Sequence, residues 1–268
     1  MATSHVHSTS SDLKDWIPRI GYAVRGVVYV IIGILATMVA VGAGGALAGS
    51  KGALTVVQEA PFADVLLGLL GVGLLAFALW RFVECFLDAE HQGKDGKGLV
   101  KRAGYFASGV VHTVLGVYAF QLIGAGDGGG GGGGWSSRLS SSDAGPWILG
   151  FAALCLAGYA IYNIMKGYNK KFLDEMRIHE MSLKTRRAVT RLGQVGLIAR
   201  GIVLGIMAWF LLRAAMGSGT AQSAGLDDAL AEIASQTYGT ILLLIVALGL
   251  AAFGVYSMAM GYYRRINW

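Results

Sequence analysis

Charged residues are scarce in this chain: Asp, Glu, Lys and Arg together make up 14% of its 268 residues. A soluble domain of this length carries about a quarter. Proline occurs three times and cysteine only twice. Both cysteines, Cys85 and Cys155, lie within apolar runs, which argues against a disulfide framework and against a cysteine metal site. A chain with so little charge is not expected to be water-soluble if its hydrophobic residues, 54% of the total, come in blocks.

The hydrophobic residues do come in blocks of about twenty. Six runs with few charges occur, at residues 20–43, 65–86, 104–125, 146–167, 194–216 and 239–263. As a helix, each run is long enough to cross roughly 30 Å of hydrocarbon at about 1.5 Å per residue. A helix satisfies its own backbone hydrogen bonds, and none of the runs alternates as a barrel strand would. The sequence therefore predicts an all-α integral membrane protein with six transmembrane helices.

Basic residues are concentrated on one side of this predicted topology. Of the 22 Lys and Arg residues, 19 fall at the two termini, in loops 87–103 and 168–193, or in the adjoining span ends. Because Lys and Arg are retained on the cytoplasmic side, both termini are predicted to be cytoplasmic. A basic inner face suits anionic lipid headgroups. We see no nucleic-acid-binding motif and expect no nucleic-acid partner.

The six spans repeat as three pairs. The odd-numbered spans open alike, with Gly21-Tyr-Ala-Val-Arg-Gly26, Gly104-Tyr-Phe-Ala-Ser-Gly109 and Gly196-Leu-Ile-Ala-Arg-Gly201. The even-numbered spans share Ala76-Phe-Ala-Leu-Trp80, Gly158-Tyr-Ala-Ile-Tyr162 and Ala252-Phe-Gly-Val-Tyr256. Successive two-span units enter the membrane in the same direction, unlike the inverted repeats of many transporters. Three tandem parallel repeats suggest a pseudo-threefold bundle, whose centre is either a pathway or packed.

The repeats divide the chain into four parts. Residues 1–17 form a cytoplasmic tail, and the repeats cover 18–90, 91–170 and 171–268. The second repeat contains a glycine-rich loop, 126–145, which we expect to be a disordered tether on the outer face. Two other loops have apolar residues at helical spacing, and each is predicted to be a short helix lying on the lipid interface or docked on the bundle. These residues are Phe172, Met176, His179 and Leu183 in one loop, and Leu226, Leu230 and Ile233 in the other.

Four charged residues lie in the spans near their basic ends, namely Arg25, Arg81, Glu84 and Arg200. They lie at similar depth, within reach of the inner headgroups. Lipid anchoring or interhelical ion pairing is one interpretation, and an anion or lipid-headgroup site is the other. Glu84 is the only acid of the group, so an arginine from another repeat is its natural partner. Because Ser108 replaces the arginine in the second repeat, a site built from Arg25 and Arg200 is not expected to be threefold symmetric.

His112 lies deeper, roughly 12 Å along its helix from Gly104. Together with Tyr29, its equivalent in the first repeat, and Asn163, it is a candidate intramembrane polar residue. We expect His112 to form a hydrogen bond to a neighbouring helix, with proton relay or ligand contact as the alternative. None of the six spans contains a second histidine, which excludes a bis-histidine haem within one chain. No cofactor and no metal site are predicted.

Catalytic motifs are also missing. The sequence has no Gly-x-Ser-x-Gly, no His-Glu-x-x-His and no paired carboxylates within a span. The pattern therefore favours a non-enzymatic scaffold or accessory membrane component, with the bilayer and other membrane proteins as partners. The alternative is a small-solute or ion transporter or channel with a pathway on the pseudo-threefold axis.

Three segments resemble one bacterial membrane family. They are the opening at residues 21–26, the segment Lys51-Gly-Ala-Leu54, and the ending Leu75-Ala-Phe-Ala-Leu-Trp-Arg-Phe-Val-Glu84. The family is catalogued as domain of unknown function 1206. The resemblance covers the chain from about residue 18, and it implies three two-helix repeats and a location in the bacterial inner (plasma) membrane. It implies no catalytic or binding residues.

The charge bias gives a topology that reporter fusions can test. Fusions at Asp95 and Glu180 should read as cytoplasmic, and a fusion at Gly132 should read as periplasmic, because the basic loops stay inside. Paired phosphatase and fluorescent-protein reporters make the measurement. A periplasmic signal at Asp95 or Glu180 would contradict the predicted orientation.

Overall fold

The computed structural model describes residues 6–44, 47–87, 93, 95–123, 145–218 and 225–264. Within these residues the chain forms eight α-helices: α1 Val6–Ala40, α2 Ser50–Gln58, α3 Ala63–Phe86, α4 Gly96–Gln121, α5 Gly145–Tyr168, α6 Leu183–Ala215, α7 Leu226–Ser235 and α8 Gly239–Tyr263. Apart from Gly145, the glycine-rich loop predicted to be a tether lies outside the described residues.

Six of these helices are long and apolar enough to cross a membrane: Pro18–Ala40, Ala63–Phe86, Lys101–Gln121, Gly145–Tyr168, Leu183–Ala215 and Gly239–Tyr263. The prediction of six apolar helices is confirmed. Among the six spans the largest difference is in α6, whose span begins at Leu183, eleven residues before the predicted start. Its start is set by Ser182, whose side chain accepts a hydrogen bond from the Thr185 amide at 3.1 Å and so caps an unpaired donor of the first turn.

The spanning helices form a ring. The basic end of the bundle is the end where the spans of α1, α4 and α6 begin and α3, α5 and α8 end; the opposite end is the far end. The most extensive packing joins neighbouring repeats, through α3 with α4, α5 with α6, and α8 with α1. Within the first and third repeats, α1 packs on α3 and α6 packs on α8. Within the second repeat, the described parts of α4 and α5 barely touch.

Glycines explain why the helices of the first and third repeats pack so closely within each repeat. A Cβ added at Gly21 would lie 2.6 Å from the Cα of Phe77, and one at Gly196 would lie 2.5 Å from the Cα of Phe253. Only glycine permits these backbones to approach so closely. Gly104 holds the equivalent position in the second repeat, yet within the described part of the chain its added Cβ would have no neighbour within 4 Å. The ring is therefore closed at five seams and open at the seam between α4 and α5.

A second set of glycines keeps the three inter-repeat seams alike. A Cβ at Gly26 would lie 2.6 Å from the Gly254 carbonyl oxygen, and one at Gly201 would lie 2.6 Å from the Ile164 side chain. At the third seam, a Cβ on Gly109 would lie 2.7 Å from the Phe82 ring. The repeats thus pack on one another by one common geometry.

Both amphipathic loops are docked on the bundle. In α7, Leu230 and Ile233 are buried among residues of the neighbouring helices. The 171–181 segment, hereafter the strap, forms two short 3₁₀ helices, Lys171–Glu175 and Ile178–Glu180, instead of the single helix suggested by its spacing. Phe172 and Met176 are fully buried, whereas His179 and Leu183 are exposed.

The strap is held by the end of α8. Met176 and Arg264 form an isolated antiparallel bridge. The backbone N–H of Arg177 donates to the Tyr263 carbonyl at 2.7 Å, and its guanidinium donates to the Tyr262 carbonyl at 3.0 Å. Phe172 inserts above Gly193, where an added Cβ would meet the phenyl ring at 2.6 Å. The strap therefore lies across the basic end of the bundle.

Aliphatic side chains fill the half of the bundle toward the far end. One cluster joins Val28 and Ile32 of α1 with Leu243 and Leu250 of α8. A second joins α2, α3 and α4 through Leu54, Leu67, Leu70, Leu74 and Leu115. Among the described residues, no buried polar side chain lies farther toward the far end than His112. The buried polar side chains that the structure describes lie in the other half.

The two glycine environments make opposite stability predictions. Gly196→Ala should destabilise the protein by about 1–3 kcal/mol, because the new Cβ overlaps the Phe253 backbone and forces the helices apart. Gly104→Ala is the matched control and should be neutral or slightly stabilising, since alanine has the higher helix propensity and the position is open. Melting curves in detergent would measure both. Equal losses in the two variants would mean that the second repeat is closed as well.

Candidate functional site

A polar pocket of about 60 Å³ lies in the basic half of the bundle, and all six spanning helices contribute to its wall. This volume holds a few waters or one small anion. We call it the central pocket. It is lined by Tyr22, Arg25, Arg81, Tyr105, Tyr159, Tyr162, Asn163, Lys166, Glu175, Leu197, Arg200, Phe253, Tyr256, Met260 and Arg264.

Arg25 lies one and a half turns into the α1 span and is 5% exposed. Its Nε donates to the Ser257 hydroxyl at 3.1 Å, and that hydroxyl donates to the Tyr22 carbonyl at 2.9 Å. Three rings surround its guanidinium, with centroids 4.9 Å away for Tyr22, 4.6 Å for Phe77 and 5.2 Å for Phe253. Among the described residues, the two terminal nitrogens of Arg25 have no hydrogen-bond acceptor.

Arg200 on α6 is held more fully. Its Nε donates to the Tyr29 hydroxyl, and its Nη1 donates to the Tyr159 hydroxyl and to Asn163 Oδ1, each at 3.2 Å. The Phe253 ring lies 4.8 Å from the guanidinium. Asn163 is fixed in turn because its amide nitrogen donates to the Tyr159 carbonyl at 2.7 Å. Phe253 therefore lies between the two arginines and links their positions.

Arg81 belongs to an ion-pair cluster around Glu84, whose side chain is completely buried. Glu84 accepts from Arg81 at 2.5 Å and from Arg264, just past α8, at 2.8 Å. The Tyr22 hydroxyl accepts from Arg81 at 2.7 Å and also from Arg264. Glu84 thus joins its own helix to the third repeat. Arg81 and Arg25 share the rings of Tyr22 and Phe77.

The repeat register adds a third arginine to the two on which the expectation about symmetry rested. Ser108 replaces the arginine of the second repeat, but Arg81 occupies the even-helix position held elsewhere by Asn163 and Ser257. Each inter-repeat seam therefore carries one arginine and one small polar residue at the two aligned positions. The pairs are Arg25 with Ser257, Arg200 with Asn163, and Arg81 with Ser108. In the seam between the first and second repeats the arginine lies on the even-numbered helix instead of the odd-numbered one. Each of the three seams therefore carries one guanidinium group at its aligned positions.

The strap closes the pocket at the basic end. Glu175 of the strap lines the pocket and pairs with Lys166 at 2.6 Å. Phe172 packs edge-on against Tyr256 with a centroid distance of 5.1 Å. The pocket is therefore covered by a salt bridge and an aromatic contact.

Positive charge exceeds negative charge around this pocket. Its described surroundings contain five cationic side chains and two carboxylates, an excess of three positive charges. Both carboxylates are engaged, Glu84 by Arg81 and Arg264 and Glu175 by Lys166. Among the described residues, Arg25 and Arg200 form no ion pair. Two buried guanidinium groups therefore have no counter-charge among the side chains that the structure describes.

The predicted site residues fall into two groups. Arg25, Arg81, Arg200 and Asn163 line one pocket, with Glu84 and Tyr29 directly bonded to its arginines. His112 lies apart from the lining residues. Its Nδ1 donates to the Ser108 carbonyl at 2.8 Å, which is in its own helix and not in a neighbouring one as expected, and its ring lies 4.5 Å from that of Phe77.

Sequence reasoning missed several members of the pocket. Arg264 was counted only as a basic residue near the C-terminus, because nothing local indicates that it reaches Glu84. Lys166 was treated in the same way. Tyr22 and Tyr159 stood in the repeated motifs, and Ser257 follows one of them directly. Extending the repeat alignment by one residue would have placed Ser257 beside Arg81 and Asn163.

The fold and the pocket define a multi-pass helical membrane protein with three two-helix repeats. The chain matches the Domain of Unknown Function (DUF1206) at residues 20–88, 103–170 and 195–264, and it belongs to this family. An uncharacterized protein, YxxB, of Bacillus subtilis (strain 168) is 33% identical over 268 residues, which cover 98% of this chain and 97% of the relative. No solved structure gives a significant match. The protein is thus a bacterial multi-pass membrane protein.

The buried cluster predicts a large effect at Glu84. Glu84→Ala should destabilise the protein by about 3–5 kcal/mol, because Arg81 and Arg264 would remain desolvated without their counter-charge. Glu180→Ala is the control: its pair with Arg177 is at the same end, but the Glu180 side chain is 52% exposed, so the loss should be about 0–1 kcal/mol. Unfolding curves in detergent compare the two. A Glu84 variant no weaker than the Glu180 variant would mean that the cluster is solvated.

Proposed function

We propose that this protein is a non-enzymatic component of the bacterial plasma membrane that holds a small anionic group in its central pocket. In this proposal the basic end faces the cytoplasm, in line with the retention of Lys and Arg on that side. The observation that carries the proposal is the presence of two buried guanidinium groups, Arg25 and Arg200, without a carboxylate partner among the described residues.

Electrostatics supports a bound anion. An ion taken out of water loses several kcal/mol of hydration free energy, which only a counter-charge or a full set of hydrogen bonds restores. The rings around Arg25 restore part of it, at about 0.5–2 kcal/mol per cation–π contact. Ser257 accepts from Nε alone. An anion in the pocket would supply both the missing acceptors and the missing charge.

The position of the pocket supports an accessory or scaffolding role. An anion held by Arg25 and Arg200 would bind the first and third repeats together, and binding to the folded state alone stabilises that state by mass action. Most residues that line the pocket are hydrogen-bond donors or aromatic rings, and its described lining holds no paired nucleophile and base of the kind that covalent catalysis requires. If the folded state of the protein is stabilised by an anion of the membrane, a structural role in that membrane is the simplest function.

Transport of the same anion is the second candidate. It is favoured by the contribution of all six spanning helices to the pocket, as expected for a pathway near the pseudo-threefold axis. The aliphatic clusters toward the far end favour binding, because they would have to separate before an anion could cross. Net uptake of phosphate into proteoliposomes that contain the protein would support transport over binding alone.

An anion-dependent melting temperature is the expected signature. Phosphate or an anionic lipid should raise the melting temperature of the purified protein, with stabilisation of about 2.7 kcal/mol at a hundred times the dissociation constant. Arg25→Gln and Arg200→Gln should lose most of this increase because they remove the charge that the anion neutralises. Arg213→Gln is the control, since Arg213 is exposed at the far end of α6, and it should behave like wild type. If no added anion changes the melting temperature of the wild-type protein, the proposal is wrong.

A further inference from the structure

The open seam and the central pocket adjoin one another. Tyr105 on α4 and Tyr159, Tyr162 and Asn163 on α5 all line the pocket, although these two helices barely touch. Tyr105 and Tyr159 are half-buried, and Tyr162 is 40% exposed. At the other five seams, packed helices separate the pocket from the bilayer. The seam between α4 and α5 is thus the one described side on which the pocket borders lipid.

Glycine contacts support an open seam independently of the helix packing. Gly21 and Gly196 contact the backbones of Phe77 and Phe253 within their own repeats. The equivalent pair in the second repeat is Gly104 and Tyr159, and there an added Cβ at Gly104 meets nothing within 4 Å. The opening therefore lies at the level of Tyr159, whose hydroxyl accepts a hydrogen bond from Arg200. A ligand in the seam would lie directly beside that arginine.

The depth of the seam between α4 and α5 and the residues on its outer surface indicate which kind of ligand enters it. Asn163 lies five residues before the end of α5 at Tyr168, or about 8 Å along the helix, which is the depth of the boundary between headgroups and acyl chains. Two turns beyond Gly104, on the same face of α4, Val111 is 54% exposed, and Phe151 of α5 is 71% exposed. The seam is therefore cationic inside and apolar outside.

We propose that the pocket takes the phosphate group of an anionic phospholipid, which enters sideways between α4 and α5 while its acyl chains remain in the bilayer. This inference rests on the proposed function, and it names both the ligand class and its route. Guanidinium groups match phosphate oxygens in geometry as well as charge. Basic pockets between transmembrane helices on the cytoplasmic side are typical binding sites for anionic headgroups.

Free phosphate carries the same chemistry, so the test separates the two sources. The probes are phosphatidylglycerol, phosphatidylcholine and inorganic phosphate, added to the full-length protein in neutral detergent. Gly104→Phe places a ring in the seam. Gly205→Phe is the matched control, because Gly205 on α6 is half-exposed and an added Cβ there also meets nothing within 4 Å. Native mass spectrometry measures lipid retention, and thermal melts measure stabilisation.

We expect wild type to retain phosphatidylglycerol in preference to phosphatidylcholine. Gly104→Phe should weaken phosphatidylglycerol binding at least about tenfold, and Gly205→Phe should not. Arg25→Gln should also weaken phosphatidylglycerol binding, although it leaves the seam open. If phosphate stabilises the protein but phosphatidylglycerol does not, or if Gly104→Phe binds lipid like wild type, the lipid route is wrong and the anion pocket stands. If neither phosphate nor phosphatidylglycerol has any effect, both proposals fail.

Discussion

Three of the four buried guanidinium groups, those of Arg25, Arg81 and Arg200, lie between apolar helices, and the surrounding structure follows from the free energy of keeping them there. Each is enclosed by aromatic rings: Tyr22, Phe77 and Phe253 around Arg25; Tyr29, Tyr159 and Phe253 around Arg200; and Tyr22, Phe77 and Tyr105 around Arg81. Rings supply a favourable electrostatic surface where water is absent. The carboxylate of Glu84 neutralises one part of the cluster. The remaining positive charge confines polar groups to the basic half and leaves the far half to aliphatic packing.

The repeats show how symmetry is kept although the residues differ. Neighbouring repeats pack through one glycine geometry at Gly26, Gly109 and Gly201, and each such seam carries one arginine. Arg25, Arg81 and Arg200 all line the central pocket although Arg81 lies on the even-numbered helix of its seam, so an arginine on either helix brings its charge to the same place. The packing of the two helices within each repeat does not follow this symmetry. Two repeats are closed by a glycine against a phenylalanine backbone, and the second repeat is not.

Local features of the sequence predicted the fold. Hydrophobic runs of helical length and the repeated openings gave six helices and three repeats, because both signals lie within single segments. The site was predicted only in part, because its remaining features depend on distant contacts. Arg264 reaches Glu84 across 180 positions. The strap forms 3₁₀ turns because Arg177 bonds to the Tyr263 backbone instead of continuing a helix. Gly104 opens its helix with the same residue types as Gly21, so composition alone could not distinguish a closed seam from an open one.

The ring also fixes an order of events during synthesis. The first helix packs most extensively on the last, and Arg25 donates a hydrogen bond to a residue 232 positions later. At about 5–20 residues per second, the ribosome takes roughly 10 to 50 s to cover that distance. During this interval the first helix has entered the bilayer with its arginine still lacking Ser257 and Phe253. The nascent protein must therefore shelter that charge at the membrane surface, or through another protein, until its final helix arrives.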